Sequence, residues 1–402
     1  MNLVERAAAV LRANDRGRYT VPAGHLYPHQ WAWDSAFAAI GWSVLDVDRA
    51  LGELETLLDG AWPDGRVPHI RFHDPTGVYF PGPAFWGTED RSSISQPPVW
   101  AAAARRVLDC GGDPDRIRAL LMPIARSHRW FLSARDPLGR GVVAVGHPWE
   151  SGMDNSPAWD VANLGVDPAD APPFERVDRQ HVSDAAQRPS DDDYRRYAAL
   201  VAHIARNGFG LGPFAVYDPG MTAILGWADG ELAVLADALG DDATAAEARG
   251  RRDLVTTSLV EHLWDDDVAR FVFIDALTGL AHTPNVVASY LPLLLDLPGT
   301  VDARLRAGLD RDFSTVWPLP TTSPNDPAFD PVGYWRGPTW VNVNWLLDGP
   351  LDGRLRGPTL ELIEREGFRE YFDPVTGDGL GADDFSWTAA VVLDWHSGGS
   401  PP

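Results

Sequence analysis

Apolar residues recur every three to four positions along most of the chain, the spacing that lines one face of an α-helix. This pattern predicts helices over 3–13, 35–45, 47–58, from about 97 to 109, and over 114–134, 191–208, 220–239 and 241–263. Further helices are expected over 286–295, 300–310, 341–347 and 359–367, with a last one ending near Trp395. Strand-like alternation is nearly absent. The exceptions are a short apolar run at 142–145 and a hairpin over 271–280 that turns at Thr278 and Gly279. Long irregular stretches follow alternate helices, the largest at 61–93 and 161–189. No short repeat and no composition break divides the chain. The expectation is one all-α domain over 1–402, with an inner and an outer ring of paired helices and functional loops at one end.

Composition narrows the chemistry. The 402 residues carry a formal net charge of −23, which argues against nucleic acid and anionic membranes as partners. One cysteine, Cys110, allows no intrachain disulfide and suits a reducing compartment. No stretch approaches the ~20 apolar residues of a membrane span, and the N-terminal segment lacks a signal-like apolar run. A cytoplasmic location is expected. Seventeen tryptophans against four methionines is unusual, and most of the tryptophans fall in loops or at helix ends. Flat indole faces there suit the lining of a polar, ring-shaped ligand site.

The densest cluster is G-H-P-W-E-S-G-M-D-N-S-P-A-W-D at 146–160, where Glu150, Asp154 and Asp160 sit among two tryptophans. Ser156 and Pro157 read as a helix start, but capping does not account for W-E-S-G-M-D. A carboxyl beside an indole has a raised pKa and can serve as a general acid. Other candidates are H-Q-W-A-W-D at 29–34, the aromatic loop with Tyr79, and Gln96 just before a Pro pair. Arg188 stands beside Asp191–Asp193; on that segment alone it reads as their ion-pair partner. Glu370 alone reads as an ordinary glutamate near a helix end. His29, His69, His73 and His147 are scattered without ligand spacing, so neither a metal nor another cofactor is expected.

The E-S-G-M-D segment resembles the general-acid motif of glycoside hydrolase family 63 and its relatives, with Asp154 at the matching position. E-Y-F-D-P-V-T-G from Glu370, followed by G-A-D-D-F-S-W-T-A, resembles the catalytic-base region of that group. Y-W-R-G-P-T-W-V-N-V-N-W from Tyr334 resembles its sugar-lining segment, and matching stretches run from Tyr27 to Leu393. The resemblance implies an (α/α)6 barrel whose long loops, at about 61–93 and 161–190, cap the site. It also implies an inverting O-glycosyl hydrolase with Asp154 as acid and Glu370 as base, their carboxyls roughly 6.5–9.5 Å apart.

Within the group, the enzymes acting on glucosylglycerate and mannosylglycerate are the nearest pattern. They imply Trp31, Trp33 and Asp34 for the sugar, and Tyr27, Tyr79, Gln96 and Arg188 for an anionic glycerate. Trp149, Glu150, Gly152, Asn155, Tyr334, Trp335, Trp340 and Trp387 complete the expected substrate-binding set. Two departures from the pattern are Ala158, where relatives often carry Arg, and Gly-Met-Thr at 220–222 in place of a bulkier run. Competing readings are a trehalase or oligosaccharide α-glucosidase, disfavoured by Arg188, and a non-catalytic sugar-binding toroid, disfavoured by the two carboxyls. The hydrolase readings take a small glycoside as partner and leave a homo-oligomer open.

Overall fold

In a computed structural model of the chain, residues 1–24, 26–74, 79–176, 187–208 and 210–398 are described. The helices in chain order are α1 (Leu3–Asn14), α2 (Ala32–Leu45), α3 (Val47–Asp59), α4 (Pro83–Trp86), α5 (Trp100–Asp109), α6 (Pro114–Ala134) and α7 (Asp160–Asn163). They continue as α8 (Asp191–Arg206), α9 (Pro219–Ala238), α10 (Asp242–Leu263), α11 (Gly299–Asp312), α12 (Val341–Asp348), α13 (Arg356–Glu366) and α14 (Ser386–His396).

Local signals account for many of the helix starts. Asn2 with Glu5 and Ser190 with Asp193 form capping boxes at α1 and α8, while Asp113, followed by Pro114, caps α6. Burial then sorts the helices into two kinds. All eight residues of α12 are buried, as are most residues of α2, α9 and α14, so these helices are buried all round. Helices α3, α6 and α10 bury one face and expose charge on the other.

The buried elements form a closed circuit. Helix α14 packs on α2, α2 on α5, α5 on α9, and α9 on the turn Leu291–Leu294; that turn packs on α12, and α12 returns to α14. Around this circuit lie α1 on α14, α3 on α2, α6 on α5, α10 on α9, α11 on the Leu291–Leu294 turn, and α13 on α12. The α2–α14 crossing is so close that a Cβ added at Gly41 would lie 2.6 Å from the Ala390 backbone. The large apolar core runs through all of these elements.

Several expectations need correction. The helix foreseen over 286–295 is a pair of 3-10 turns, Val287–Ser289 and Leu291–Leu294, because Pro292 has no N–H to continue a ladder. The helix after Ser156 is likewise a 3-10 turn, Pro157–Trp159, followed by only four residues of α7. Short strands were also underestimated: Ala144–Val145, Val216–Tyr217, Phe273–Asp275 and Ala281–His282 form a four-stranded antiparallel sheet. The expected hairpin contributes its last two strands. The loop at 61–93 contains α4, and the segment foreseen as helical from Pro97 stays non-helical up to Trp100. Among the described residues, no helix is long and apolar enough to cross a membrane.

Candidate active site

Residues at or just before the N-terminal ends of α2, α5, α12 and α14 line one cavity. At α2, the pairing of Gln30–Trp31 with Ile70–Arg71 fixes Trp31 and brings His69 and Ile70 beside it. Gln96 accepts the Trp33 N–H at 3.3 Å, which orients the start of the helix. Asp34 lies in its first turn, buried, and its carboxyl is pushed well above the usual range by burial, with Glu370 and Asp154 adding repulsion.

Asp154 follows a tightly tied turn. His147 accepts the Trp149 N–H on Nδ1 at 3.0 Å, so its Nε2 carries the proton toward the Tyr197 carbonyl at 3.2 Å. Gly152 takes φ +72°, and Trp33 packs so close that a Cβ there would meet its ring at 2.7 Å. The Tyr197 hydroxyl donates to the Asp154 carbonyl at 2.9 Å. Burial pushes the Asp154 carboxyl up to about 7; Arg188 opposes that shift and Glu370 adds to it. At neutral pH a substantial fraction of Asp154 therefore carries a proton.

Glu370 precedes the short strand Tyr371–Phe372 and is 1% exposed. Four donors converge on it. Tyr27 Oη donates to Oε1 at 2.8 Å and Tyr334 Oη to the same oxygen at 3.5 Å. Arg188 Nη2 and the Ala382 N–H each donate to Oε2 at 3.0 Å. That array matches the lone pairs of a carboxylate. Arg188 also donates from Nη1 to Tyr27 Oη at 2.8 Å, and its guanidinium lies over the Tyr334 ring at 4.7 Å. Its Nε is buried without a hydrogen-bond partner. Asp191, which the sequence offered as a partner for Arg188, pairs with Arg176 instead, at 3.1 Å.

The cavity thus brings together Tyr27, Trp31, Trp33, Asp34, Tyr79, Gln96, Trp149, Gly152, Asp154, Arg188, Tyr334, Trp335, Glu370 and Trp387. Three expected substrate contacts do not line it. Glu150 is buried against Arg135, whose Nε and Nη2 both donate to its carboxylate, and it also accepts the Gly146 N–H at 2.6 Å. Asn155 is turned toward residues 333–335. Trp340 lies behind the wall, stacked on Trp335 at 3.7 Å and on Tyr371 at 4.6 Å. Residues that sequence reasoning passed over also line the cavity: His69, Phe80, Tyr194 and Phe385. Burial and the nearby His147 lower the His69 pKa, so it is neutral. Phe385 sits inside the G-A-D-D-F-S-W segment and could have been picked up there, whereas Tyr194 is hidden in an ordinary amphipathic helix. Among the described residues, no group of three or more His, Cys, Asp or Glu could hold a metal.

Residues 27–388 match the mannosylglycerate hydrolase MGH1-like glycoside hydrolase domain. The chain belongs to this glycoside hydrolase family. It is 42% identical to a mannosylglycerate hydrolase of Thermus thermophilus, covering 97% of this chain and 99% of that one. It is 36% identical to glucosylglycerate hydrolase of Mycolicibacterium hassiacum, covering 98% and 97%. The crystal structure of the GH63 mannosylglycerate hydrolase from a second strain of T. thermophilus, in complex with Tris and D-glycerate, superposes with a TM-score of 0.93 at 40% identity, covering 98% and 100%. As a glycoside hydrolase the chain needs two carboxyl groups flanking a scissile bond. The cavity holds three, Asp34 and Asp154 raised by burial and Glu370 held by an arginine and two tyrosines, between walls of tryptophan.

Proposed function

We propose that this chain hydrolyses an α-glycoside of glycerate, glucosylglycerate or mannosylglycerate, with inversion at the anomeric carbon. Asp154 is the general acid and Glu370 the general base. Protonated Asp154 donates to the glycosidic oxygen as the bond to the anomeric carbon breaks, and glycerate leaves as its alcohol. Glu370 takes a proton from a water that attacks the opposite face, so no covalent intermediate forms. Trp31, Trp33 and Trp335 offer ring faces to the sugar, and Asp34 offers its hydroxyls a carboxyl that burial pushes well above the usual range.

The observation that carries the glycerate reading is Arg188, a buried guanidinium in the same cavity with its Nε unpartnered. Beside its pairing with Glu370, such a group has one donor left with which to receive a carboxylate. Relatives named for the mannosyl and the glucosyl substrates both cover nearly the whole chain, so the sugar is left to experiment.

The closed circuit of inner elements with an outer partner for each supports an (α/α)6 toroid, one of whose inner members is reduced to 3-10 turns. The continuous core supports a single domain over 1–402. Tyr79 and Phe80 from one long loop and Arg188 and Pro189 from the other contribute to the cavity wall, which supports these loops as its cap. The lone, partly buried Cys110 suits a reducing, cytoplasmic setting.

The deciding experiment offers glucosylglycerate, mannosylglycerate, trehalose and maltose, and follows the anomer of the released sugar by NMR. Release of the β-anomer from an α-linked glycerate substrate alone supports the reading. Activity confined to a neutral disaccharide rejects it, and release of the α-anomer rejects inversion.

A further inference from the structure

Arg188 and Glu370 are joined directly, Nη2 to Oε2 at 3.0 Å, with side-chain exposures of 3% and 2%. In the unliganded cavity the group suited to the leaving group's carboxylate is therefore already the ion-pair partner of the base. The pair is also linked through Tyr27, which accepts from Arg188 and donates to the other oxygen of Glu370. Only the Arg188 Nε has no partner. A guanidinium pressed onto a buried carboxylate stabilises its ionised form and weakens it as a proton acceptor. An anion arriving at Nε, beside the Nη2 that Glu370 holds, offsets that positive charge. In a cavity of low effective dielectric the offset is felt across the pair.

Resting on the glycerate reading above, we propose that Arg188 couples the two halves of the substrate: the leaving group's carboxylate, received at Nε, releases Glu370 from its restraining charge and makes it a stronger base. Specificity for an anionic glycoside then appears in kcat as well as in KM. A neutral glycoside that fills the sugar subsite still meets a base held down by Arg188. The other ionisable groups that act on Glu370 are Tyr27, Tyr334, Tyr371, Asp34 and Asp154. Burial raises all three tyrosines, so they stay neutral through the assay range. The two aspartates face acid and ester substrates alike, which leaves Arg188 as the group whose charge the substrate carboxylate can offset.

The test compares the α-glycoside of glycerate with its methyl ester on the full chain, measuring kcat and KM across pH. The acid limb of kcat should lie at higher pH for the acid than for the ester. On the plateau, kcat for the ester should be about three- to tenfold lower, the effect of roughly one unit of base strength. Arg188→Gln should remove the difference in limbs and raise kcat on the ester, although it raises KM for the acid. Equal limbs and equal kcat for acid and ester in the wild type would overturn the coupling while leaving the glycerate reading intact. A fall in kcat on the ester in Arg188→Gln would also overturn it, since the arginine would then be assisting the base. If the wild type hydrolyses neither compound, the substrate reading fails and the coupling falls with it. The wild-type comparison stands whether or not the variant folds.

Discussion

The side-chain oxygen of Asn155 accepts the Trp335 N–H at 2.9 Å, tying the residue after Asp154 to the turn that carries Tyr334. Its amide donates to the Gly333 carbonyl at 3.3 Å, and Arg336 of the same turn donates to the Asn155 carbonyl at 3.1 Å. The turn is strained, with Tyr334 at φ +59°. Asn155 thus bears on the candidate acid, through its neighbour in sequence, and on a hydroxyl that reaches Glu370. Replacing it with Ala leaves the buried Trp335 N–H without its acceptor, while the Gly333 carbonyl keeps only the Arg336 N–H. The expected outcomes are a loss of about 1–3 kcal/mol in stability by denaturant unfolding and a lower kcat with KM little changed. An unchanged kcat in a destabilised protein would limit Asn155 to a structural role.

Asp154→Asn and Glu370→Gln keep the size of each side chain and remove its acid–base capacity. Each is expected to lower kcat by roughly 10²–10⁴-fold or more while circular dichroism and the unfolding transition remain cooperative. Near-normal turnover in either variant would remove that residue from the mechanism.

The raised pKa of Asp154 has a consequence for stability. In the folded chain it titrates near 7, against an ordinary value of 3.8, so the folded state holds the proton more tightly. This group's contribution is fully favourable below about 4 and is lost as pH rises toward 7. Asp154→Asn, which mimics the neutral form at every pH, should match the wild type near pH 4 and be the more stable above pH 7. The difference should level off at no more than about 4 kcal/mol. Unfolding midpoints in urea across pH measure this directly, and parallel curves for the two proteins would contradict it. For activity the sign is the same: kcat/KM should fall as pH rises above about 7, because the acid loses its proton.

How far the sequence could be read depended on the range of the interactions. Helical periodicity is local, and α6, α9 and α10 start and end within about a residue of their expected bounds. Turns such as Leu291–Leu294 were misjudged because apolar residues continue through Pro292, where the backbone cannot. Glu150, Asn155 and Arg188 all stood out as functional types in functional company. What each one touches depends on partners far along the chain or on another element: Arg135 for Glu150, the 333–335 turn for Asn155, and Glu370 for Arg188. Periodicity carries no record of those pairings, so residue type picked the segments but not the roles within them.

Glu150 illustrates the cost of such a pairing. It shares a buried ion pair with Arg135 at 2.8 Å, and both side chains are nearly inaccessible. Glu150→Ala leaves a buried guanidinium and the Gly146 N–H without their acceptor. A loss of about 3–5 kcal/mol is expected, read as a lower unfolding midpoint, with KM for substrate largely unchanged in the folded fraction. A raised KM at wild-type stability would return Glu150 to the substrate-binding set.

Gly152 offers a separate probe of the sugar wall. At φ +72° an L-residue is strained by roughly 1–2 kcal/mol, and the added Cβ would meet the Trp33 ring at 2.7 Å. Trp33 packs edge-on against Trp387 at 5.5 Å and tilted against Trp335 at 6.0 Å, so it cannot retreat without disturbing both. Gly152→Ala should therefore move an indole that lines the cavity without altering either carboxyl. The expected result is a higher KM and weaker inhibition by the free sugar product, with the pH limbs of kcat unmoved. Altered pH limbs would mean that the substitution had reached Asp154, two residues on; unaltered sugar affinity would remove Trp33 from the sugar subsite.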